Sequence, residues 1–112
     1  MAYDPALMVF IESAIFTRQV RELLTDEEYA ELQSAMTQHP DAGNLIQGTG
    51  GLRKLRWKRA GTGKSGGVRV IYYWLSADHQ IRLLMIYPKS RKDDLSTAEK
   101  AALRKIVEKW NG

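Results

Sequence analysis

Apolar and polar side chains alternate in the second half of the chain, which is the pattern of β-strands with one buried face. In the segment LRKLRWK, at 52–58, Leu55 and Trp57 fall on one side and Lys54 and Arg56 on the other. We therefore expect Leu55 and Trp57 to face the core. Apolar or β-branched runs predict further strands at 7–13, 68–75 and 81–87.

Helical spacing of apolar residues follows two capping signals in the first half of the chain. Thr17 is predicted to cap a short helix. Thr25 and Glu28 form a capping box ahead of a second helix. We expect this helix to end at His39, because the residue before a proline avoids the helical region.

A third helix is predicted at the C-terminal end, after the capping box formed by Ser96 and Glu99. Its apolar face comprises Leu103, Ile106, Val107 and Trp110. The segment 41–51 has four glycines and no helical period, so it is interpreted as a loop.

The predicted order is one strand, two helices, three strands and a helix, all within a single domain at 1–112. Short connections between the last three strands favour antiparallel hairpins. The expected fold is therefore α+β. It has an antiparallel sheet of one N-terminal strand plus three consecutive strands, packed against N-terminal helices and a C-terminal helix.

Charge is distributed unevenly along the 112 residues. The segment 52–92 contains eleven lysines and arginines and one acid, a net +10, whereas the remainder has six basic and twelve acidic residues, a net −6. Such segregation costs free energy unless a polyanion binds the basic part. The segregation favours nucleic acid as the partner, with an acidic protein as the alternative.

The composition excludes some classes of function and argues against others. The sequence has no cysteine, which excludes disulfides, thiolate catalysis and zinc–cysteine sites. Its two histidines, His39 and His79, have no partner at ligand spacing, so a metal site is not expected and no cofactor is implied. Apolar runs are too short for a membrane span and no leader pattern opens the chain, so we expect a cytoplasmic protein with no membrane partner.

One glycine-rich stretch, AGTGKSGG, is similar to part of a nucleotide-binding P-loop. Gly63, Lys64 and Ser65 match the end of that motif, but its first glycine would fall at residue 58, which is Lys58. The segment that follows, 68–75, predicts a strand, whereas a P-loop opens a helix. The P-loop interpretation therefore fails on spacing and on context.

Candidate functional residues are four cations and one tyrosine on or next to the predicted strands. Lys54 and Arg56 share one side of a strand, Arg69 opens the next strand, and Tyr87 and Lys89 lie where the last strand ends. If the hairpins pair in sequence, these five residues converge on one face. Taken singly, each is better interpreted as an ordinary solvated residue of a basic sheet, but that interpretation does not suit the whole set, which lies in a segment almost free of acids. Other cations of the basic segment are candidates for RNA or ribosome contacts: Arg53, Lys58, Arg59, Lys64, Arg91 and Lys92.

Three blocks of the sequence, IQGTGGLRKLRW, GKSGGVRVIYYW and IYPKSRKDDLSTAEKAAL, resemble the HigB/RelE family of toxins from bacterial toxin–antitoxin pairs. The resemblance extends to the early IESAIF and to the TDEEYAELQ helix. It implies a RelE-like microbial ribonuclease fold and metal-independent cleavage of messenger RNA bound to the 70S ribosome, by attack of a 2′-hydroxyl on the neighbouring phosphate. It also implies a cognate antitoxin protein as partner.

The positions that match the RelE pattern are Lys54, Arg56, Arg69 and Tyr87 or Lys89. Arginines stay protonated at any working pH, so Arg56 and Arg69 are expected to clamp the phosphate. Lys54 acts as the base only if neighbouring cations disfavour its protonated form. Tyr87 is expected to stack on a base or to donate a proton to the leaving 5′-oxygen. RelE-type enzymes have a tyrosine near the start of the last helical region, where this chain has DDLSTAEK instead.

Two other function classes remain open at this point. Toxins of the same fold inhibit a protein target such as DNA gyrase without cleaving RNA, and the basic face is also compatible with a plain RNA-binding domain. The sequence does not determine codon preference or the stoichiometry with an antitoxin.

Overall fold

Five strands and three α-helices make up the part of the chain that the computed structural model describes, residues 7–58, 67–92 and 94–111. A short 3-10 turn at Ser76–Asp78 joins the fourth strand to the fifth. The elements in chain order are β1 (Val9–Glu12), α1 (Ala14–Leu23), α2 (Asp26–Gln38), β2 (Asn44–Leu45), β3 (Arg53–Trp57), β4 (Val68–Leu75), β5 (Gln80–Pro88) and α3 (Thr97–Asn111).

The strands form one sheet in the order β1-β5-β4-β3-β2. Strands β3, β4 and β5 pair in antiparallel fashion, as their short connections predicted, and β2 adds a further antiparallel pair with β3, but β1 runs parallel to β5. The α+β class is therefore confirmed, whereas the expectation of a purely antiparallel sheet is wrong. The cause is the path of the chain. β1 pairs with the last strand, β5, and not with the strand that follows it in the sequence. Along the chain, helices α1 and α2 lie between β1 and the other strands.

Two apolar cores lie on opposite faces of this sheet. On one face, α1 and α2 contribute Phe16, Val20 and Leu32, which pack against alternate residues of β4 and β5. On the other face, Leu103 and Val107 of α3 pack against Ile71 and its neighbours. Leu55 and Trp57 of β3 pack against the first core, as the alternation predicted. Lys54 and Arg56 consequently lie on the face that α3 covers only in part.

The second and third helices begin where the sequence predicts. Both members of the Thr25–Glu28 capping box are formed, and α2 ends at Gln38 with His39 as its C-cap. Ahead of α3, the Ser96 amide donates to Glu99 Oε1 at 2.9 Å and the Glu99 amide donates to Ser96 Oγ at 3.1 Å. These caps involve residues only three positions apart, so their formation depends on local sequence alone.

Two local predictions are wrong. The cap of α1 is Ser13, one turn before Thr17, because Ser13 has an extended backbone and its side chain accepts from the Phe16 amide. Ser13 Oγ also donates to the Leu84 carbonyl at 2.8 Å, which ties the cap to β5. The predicted loop at 41–51 contains the two-residue strand β2, which pairs with Arg53 and Lys54 of β3. Two residues are too few to show alternation in the sequence.

Candidate functional site

Strand pairing places the predicted residues in a row on the α3 face of the sheet. Arg56 of β3 lies opposite Arg69 of β4, and Arg69 lies opposite Tyr87 of β5. Lys54 is two residues from Arg56 on the same side of β3, opposite Ile71. The convergence predicted from the sequence is therefore observed for these four residues.

Arg69 is the buried member of the row, with only 5% of its surface exposed. Its Nη1 lies 3.4 Å from the carbonyl oxygen of Val68. The end of β3 lies close to the residue that precedes β4. A Cβ on Gly67 would lie 3.1 Å from the Trp57 carbonyl oxygen and 3.7 Å from Arg69 Nη1. Because a guanidinium keeps its charge under all working conditions, the row has a fixed positive charge at its centre.

Tyr87 is 1% exposed and is covered by a lysine. The Lys92 ammonium lies 5.0 Å from the centre of the Tyr87 ring, within the range of a cation–π interaction. Lys92 also forms an ion pair with Glu99, and this hydrogen bond is the main reason that the pKa of the Glu99 carboxyl lies below its usual range. Stacking of an RNA base on this face of Tyr87 would require Lys92 to move.

A cleft of about 290 Å³ opens beside the exposed end of the row. Lys54 lies in it with 15% of its side chain exposed and forms an ion pair with Asp94, which is 70% exposed. Asp94 belongs to the segment between β5 and α3, 40 residues away in sequence. The residues that line the cleft are Asn44, Leu45, Ile46, Gln47, Lys54, Arg56, Asp94, Leu95 and Lys100.

Asp94 is surrounded by positive charge. The pKa of its carboxyl is lowered, first by the hydrogen bond and charge of Lys54 and then by the charges of Lys100 and Arg56. Neither Asp94 nor Lys100 was among the residues selected from the sequence. The available signal was the DDLSTAEK segment, which stands where RelE-type enzymes have a tyrosine, but nothing in the sequence pairs it with Lys54.

One predicted RNA-contact residue lies apart from the site. Arg53 lies opposite Tyr72, on the α1–α2 face of the sheet. Its Nη1 donates to the carbonyl oxygens of Asp41 at 3.1 Å and Gly43 at 2.8 Å. The structure therefore gives Arg53 a role in holding the loop before β2.

Two other predicted RNA-contact residues lie at the ends of strands: Lys58 follows β3 and Arg91 lies in the turn after β5, both exposed. Lys89, the fifth candidate catalytic residue, is exposed in the same turn and is not part of the row. The Lys89 amide donates to the Gly67 carbonyl at 3.0 Å, which closes this end of the β4–β5 hairpin. Arg59 and Lys64, with most of the glycine-rich stretch, lie outside the described residues. Downstream of that stretch the chain is strand from Val68, in agreement with the rejection of a P-loop.

Neither a candidate metal site nor a membrane-spanning helix is found among the residues that the structure describes. No group of three or more histidines, aspartates or glutamates within residues 7–58, 67–92 and 94–111 is arranged to hold a metal ion. Across the same ranges, every helix is too short or too polar to cross a membrane.

Comparison with known proteins assigns this architecture to a family. Residues 8–112 match the family model described as the RelE toxin of the RelE/RelB toxin–antitoxin system. The crystal structure of the isolated E. coli RelE toxin superposes with a TM-score of 0.54 at 14% sequence identity, covering 88% of this chain and 98% of that one. At this identity the superposition establishes the shared fold, while the family model spans almost the whole sequence. The chain belongs to the RelE family of toxins from toxin–antitoxin systems.

Proposed function

We propose that this toxin is a metal-independent endoribonuclease that cleaves messenger RNA on the 70S ribosome and thereby inhibits translation and growth. The cleavage is attack of a 2′-hydroxyl on the adjacent phosphate with departure of the 5′-oxygen. The proposal places the protein in the cytoplasm, and membership of the family implies an antitoxin as its protein partner.

The observation that carries this proposal is the row of Arg56, Arg69 and Tyr87 beside the cleft that holds Lys54. Phosphate cleavage builds negative charge on a crowded phosphorane, so a catalyst needs fixed positive charge aimed at one point. Arg69, buried in the middle of the sheet, is held in place by packing, whereas Arg56 is exposed and accessible to RNA. A preorganised guanidinium beside an accessible one suits the clamping of a phosphodiester.

Of the two proton transfers, we assign donation to the leaving 5′-oxygen to Lys54, while the proton of the attacking 2′-hydroxyl passes to water. In its ion pair with Asp94, Lys54 is an ammonium, which suits stabilisation of charge and donation of a proton to the leaving oxygen. The base role predicted from the sequence would require the substrate to break this ion pair. Tyr87, buried beneath Lys92, supports the row from β5 and is poorly placed to stack on a base.

The small number of acid–base groups among the described residues of the cleft supports the proposed dependence on the ribosome. Those residues include no histidine, and their carboxylate, that of Asp94, is paired with Lys54. Binding that holds a substrate in a reactive geometry can supply about 7 to 11 kcal/mol of the barrier reduction. A ribosome that holds the message in such a geometry compensates for a site that mainly provides positive charge.

Mapping of messenger RNA 5′ ends after brief expression tests the proposal. Wild-type protein should produce discrete new ends within translated codons, and Arg56→Ala should reduce them strongly. Lys105→Ala is the matched control, because Lys105 is an exposed cation of α3 that does not line the cleft. The same cleavage should occur in a purified mixture of 70S ribosomes and a defined message with a metal chelator that leaves ribosomal magnesium intact.

Intact messages accompanied by DNA damage would contradict the nuclease proposal and support inhibition of a protein target such as gyrase. Tight RNA binding without new ends would support a plain RNA-binding domain. In both cases the family assignment would stand, because it rests on the sequence match and not on the activity.

A further inference from the structure

Three cations converge on one exposed carboxylate at the mouth of the cleft. Lys54 and Arg56 come from β3 and Lys100 from the first turn of α3, and all three line the same cleft as Asp94. Lys54 contacts Asp94 directly, and the charges of Lys100 and Arg56 act on the same carboxyl. Among the described residues that line the cleft, three are positively charged and one is negatively charged, so Asp94 alone does not neutralise the three cations.

A phosphodiester has the chemistry that this arrangement accepts. Like a carboxylate, it is a monoanion with two oxygen acceptors, and lysine and arginine are the side chains that bind it most often. The Asp94 side chain is 70% exposed, so it can leave the cleft without opening the core. An anion from outside can thus replace it on the same three cations.

The remaining lining of the cleft fits the rest of a nucleotide. Asn44 and Gln47 provide amide donors and acceptors, and Leu45 is an apolar side chain that is 61% exposed. The volume of about 290 Å³ is close to the lower end of small-molecule sites, roughly 300 Å³. Single-stranded RNA is recognised by this mixture of charge, edge hydrogen bonds and apolar contact.

We propose that the cleft is an outer RNA subsite, in which Lys100, together with Lys54 and Arg56, binds the phosphodiester next to the one held at Arg69, so that Lys54 and Arg56 lie between two adjacent phosphates and contact both. In the free protein, Asp94 occupies the position of that phosphodiester. The subsite deepens the proposed function and rests on it in taking RNA as the ligand. Lys100 becomes an RNA contact that lies outside the basic segment 52–92, and Asp94 becomes an internal competitor of the substrate.

Removal of the competitor should strengthen binding. Asp94→Asn keeps the shape of the side chain and loses its charge, so we expect RNA to bind more tightly by a factor of about 1.4 to 5, the range expected for one exposed ion pair. Asp78→Asn is the matched control for net charge, since Asp78 is an exposed acid in the turn between β4 and β5, outside the cleft.

Loss of a cation should have the opposite effect. Lys100→Ala should weaken binding by a similar factor and lower the salt slope by about 0.7, the value for one phosphate contact with a single strand. Lys105→Ala, on the same helix but outside the cleft, should change the slope much less.

The experiment measures dissociation constants by fluorescence anisotropy at several salt concentrations, after thermal melts confirm that each variant is folded. The probes are vacant 70S ribosomes and 70S ribosomes loaded with a message whose 2′-hydroxyls are methylated, which cannot be cleaved. A gain by Asp94→Asn only on loaded ribosomes identifies messenger RNA as the source of the phosphate. An equal gain on vacant ribosomes identifies ribosomal RNA.

The subsite is refuted if Asp94→Asn binds no more tightly than Asp78→Asn on either probe, and Asp94→Ala provides a second variant for the same comparison. Cleavage that falls for Asp94→Asn with unchanged affinity would make Asp94 the base instead of a competitor. Because the probes cannot be cleaved, a tighter Asp94→Asn complex, together with no cleavage of natural messages by the wild-type protein, would leave the subsite intact and overturn the nuclease proposal alone.

Discussion

Replacement of Arg69 by methionine separates the catalytic charge of this residue from its packing. Arg69 is 5% exposed and lies between Arg56 and Tyr87 in the cross-strand row. Alanine would remove two buried methylene groups as well as the charge, at about 0.8 kcal/mol each, so a loss of activity would be confounded with a loss of stability. Methionine retains an apolar chain of similar length, with a thioether sulfur in place of Cδ, and lacks the guanidinium.

The expected effects of Arg69→Met on activity and stability differ in size. Loss of one preorganised donor to a developing oxyanion costs about 3 to 4 kcal/mol, or a factor of about 100 to 1,000 in rate. Methionine is similar in volume to arginine, but the contacts of the buried guanidinium, including that of Nη1 with the Val68 carbonyl, are lost, so the free energy of unfolding should fall by about 1 to 3 kcal/mol. Arg69→Lys keeps the charge but loses the planar fork, and should lower the rate by about tenfold or more.

Single-turnover cleavage of a message on 70S ribosomes and chemical unfolding measure the two quantities on the same preparations. Arg82→Met is the matched control, because Arg82 is on the same sheet face but stacks on Trp110 at 4.5 Å, away from the cleft. The Arg82→Met protein should be about 0.5 to 1 kcal/mol less stable, because it lacks the cation–π contact, and it should cleave at the wild-type rate.

The reasoning fails if Arg69→Met is folded and cleaves at the wild-type rate, since the row would then have no catalytic role. It also fails if cleavage falls only in proportion to the unfolded fraction. In that case Arg69 would be a structural residue of the sheet, the simpler interpretation of a buried arginine.

Three further predictions concern stability and ligand choice. Tyr72→Phe should lower the free energy of unfolding by about 1 to 3 kcal/mol in urea titrations, because the buried hydroxyl accepts from the Gly43 amide at 2.9 Å and this donor would lose its partner. Glu99→Gln should reduce the loss of thermal stability at acidic pH. Lys92 lowers the folded-state pKa of Glu99, so the stability that this carboxylate contributes is present above about pH 4.3 and is lost as the pH falls through the lower folded value. Melts at pH 3 to 7 would show it, and parallel curves for the two proteins would contradict the role of the ion pair. Calorimetry should detect no specific binding of ATP or GTP at 60–67, and micromolar binding that requires magnesium would reverse the exclusion of a P-loop.

Local features of the fold were readable from the sequence because their causes are local. The capping boxes at Thr25 and Ser96 involve side chains and amides three residues apart, and both are formed. The alternation along β3 separates Lys54 and Arg56 from the core-facing side of the strand, and the structure shows the same separation. The family could also be inferred, since the blocks that carry the resemblance lie within the match over 8–112.

Features that depend on contacts between distant segments were decided by the tertiary structure. Whether β1 runs parallel or antiparallel to its neighbour depends on which strand it meets, and β5 is almost 70 residues away. Ser13 was selected over Thr17 as the cap partly through its hydrogen bond to Leu84, 71 residues away. Neither contact produces a periodic pattern in the sequence. Both depend on how α1 and α2, which lie between β1 and the other strands along the chain, pack against the sheet.

The same distinction applies to the site. The sequence by itself determined which strands carry the cations and which face those cations share, since a strand's side chains alternate with a period of two. Only the tertiary structure brought Asp94 and Lys100 to Lys54 and placed Lys92 over the Tyr87 ring. These contacts depend on where the chain crosses the sheet between β5 and α3. That path is set by the burial of Leu95 against the second core, a packing interaction with no short-range signature.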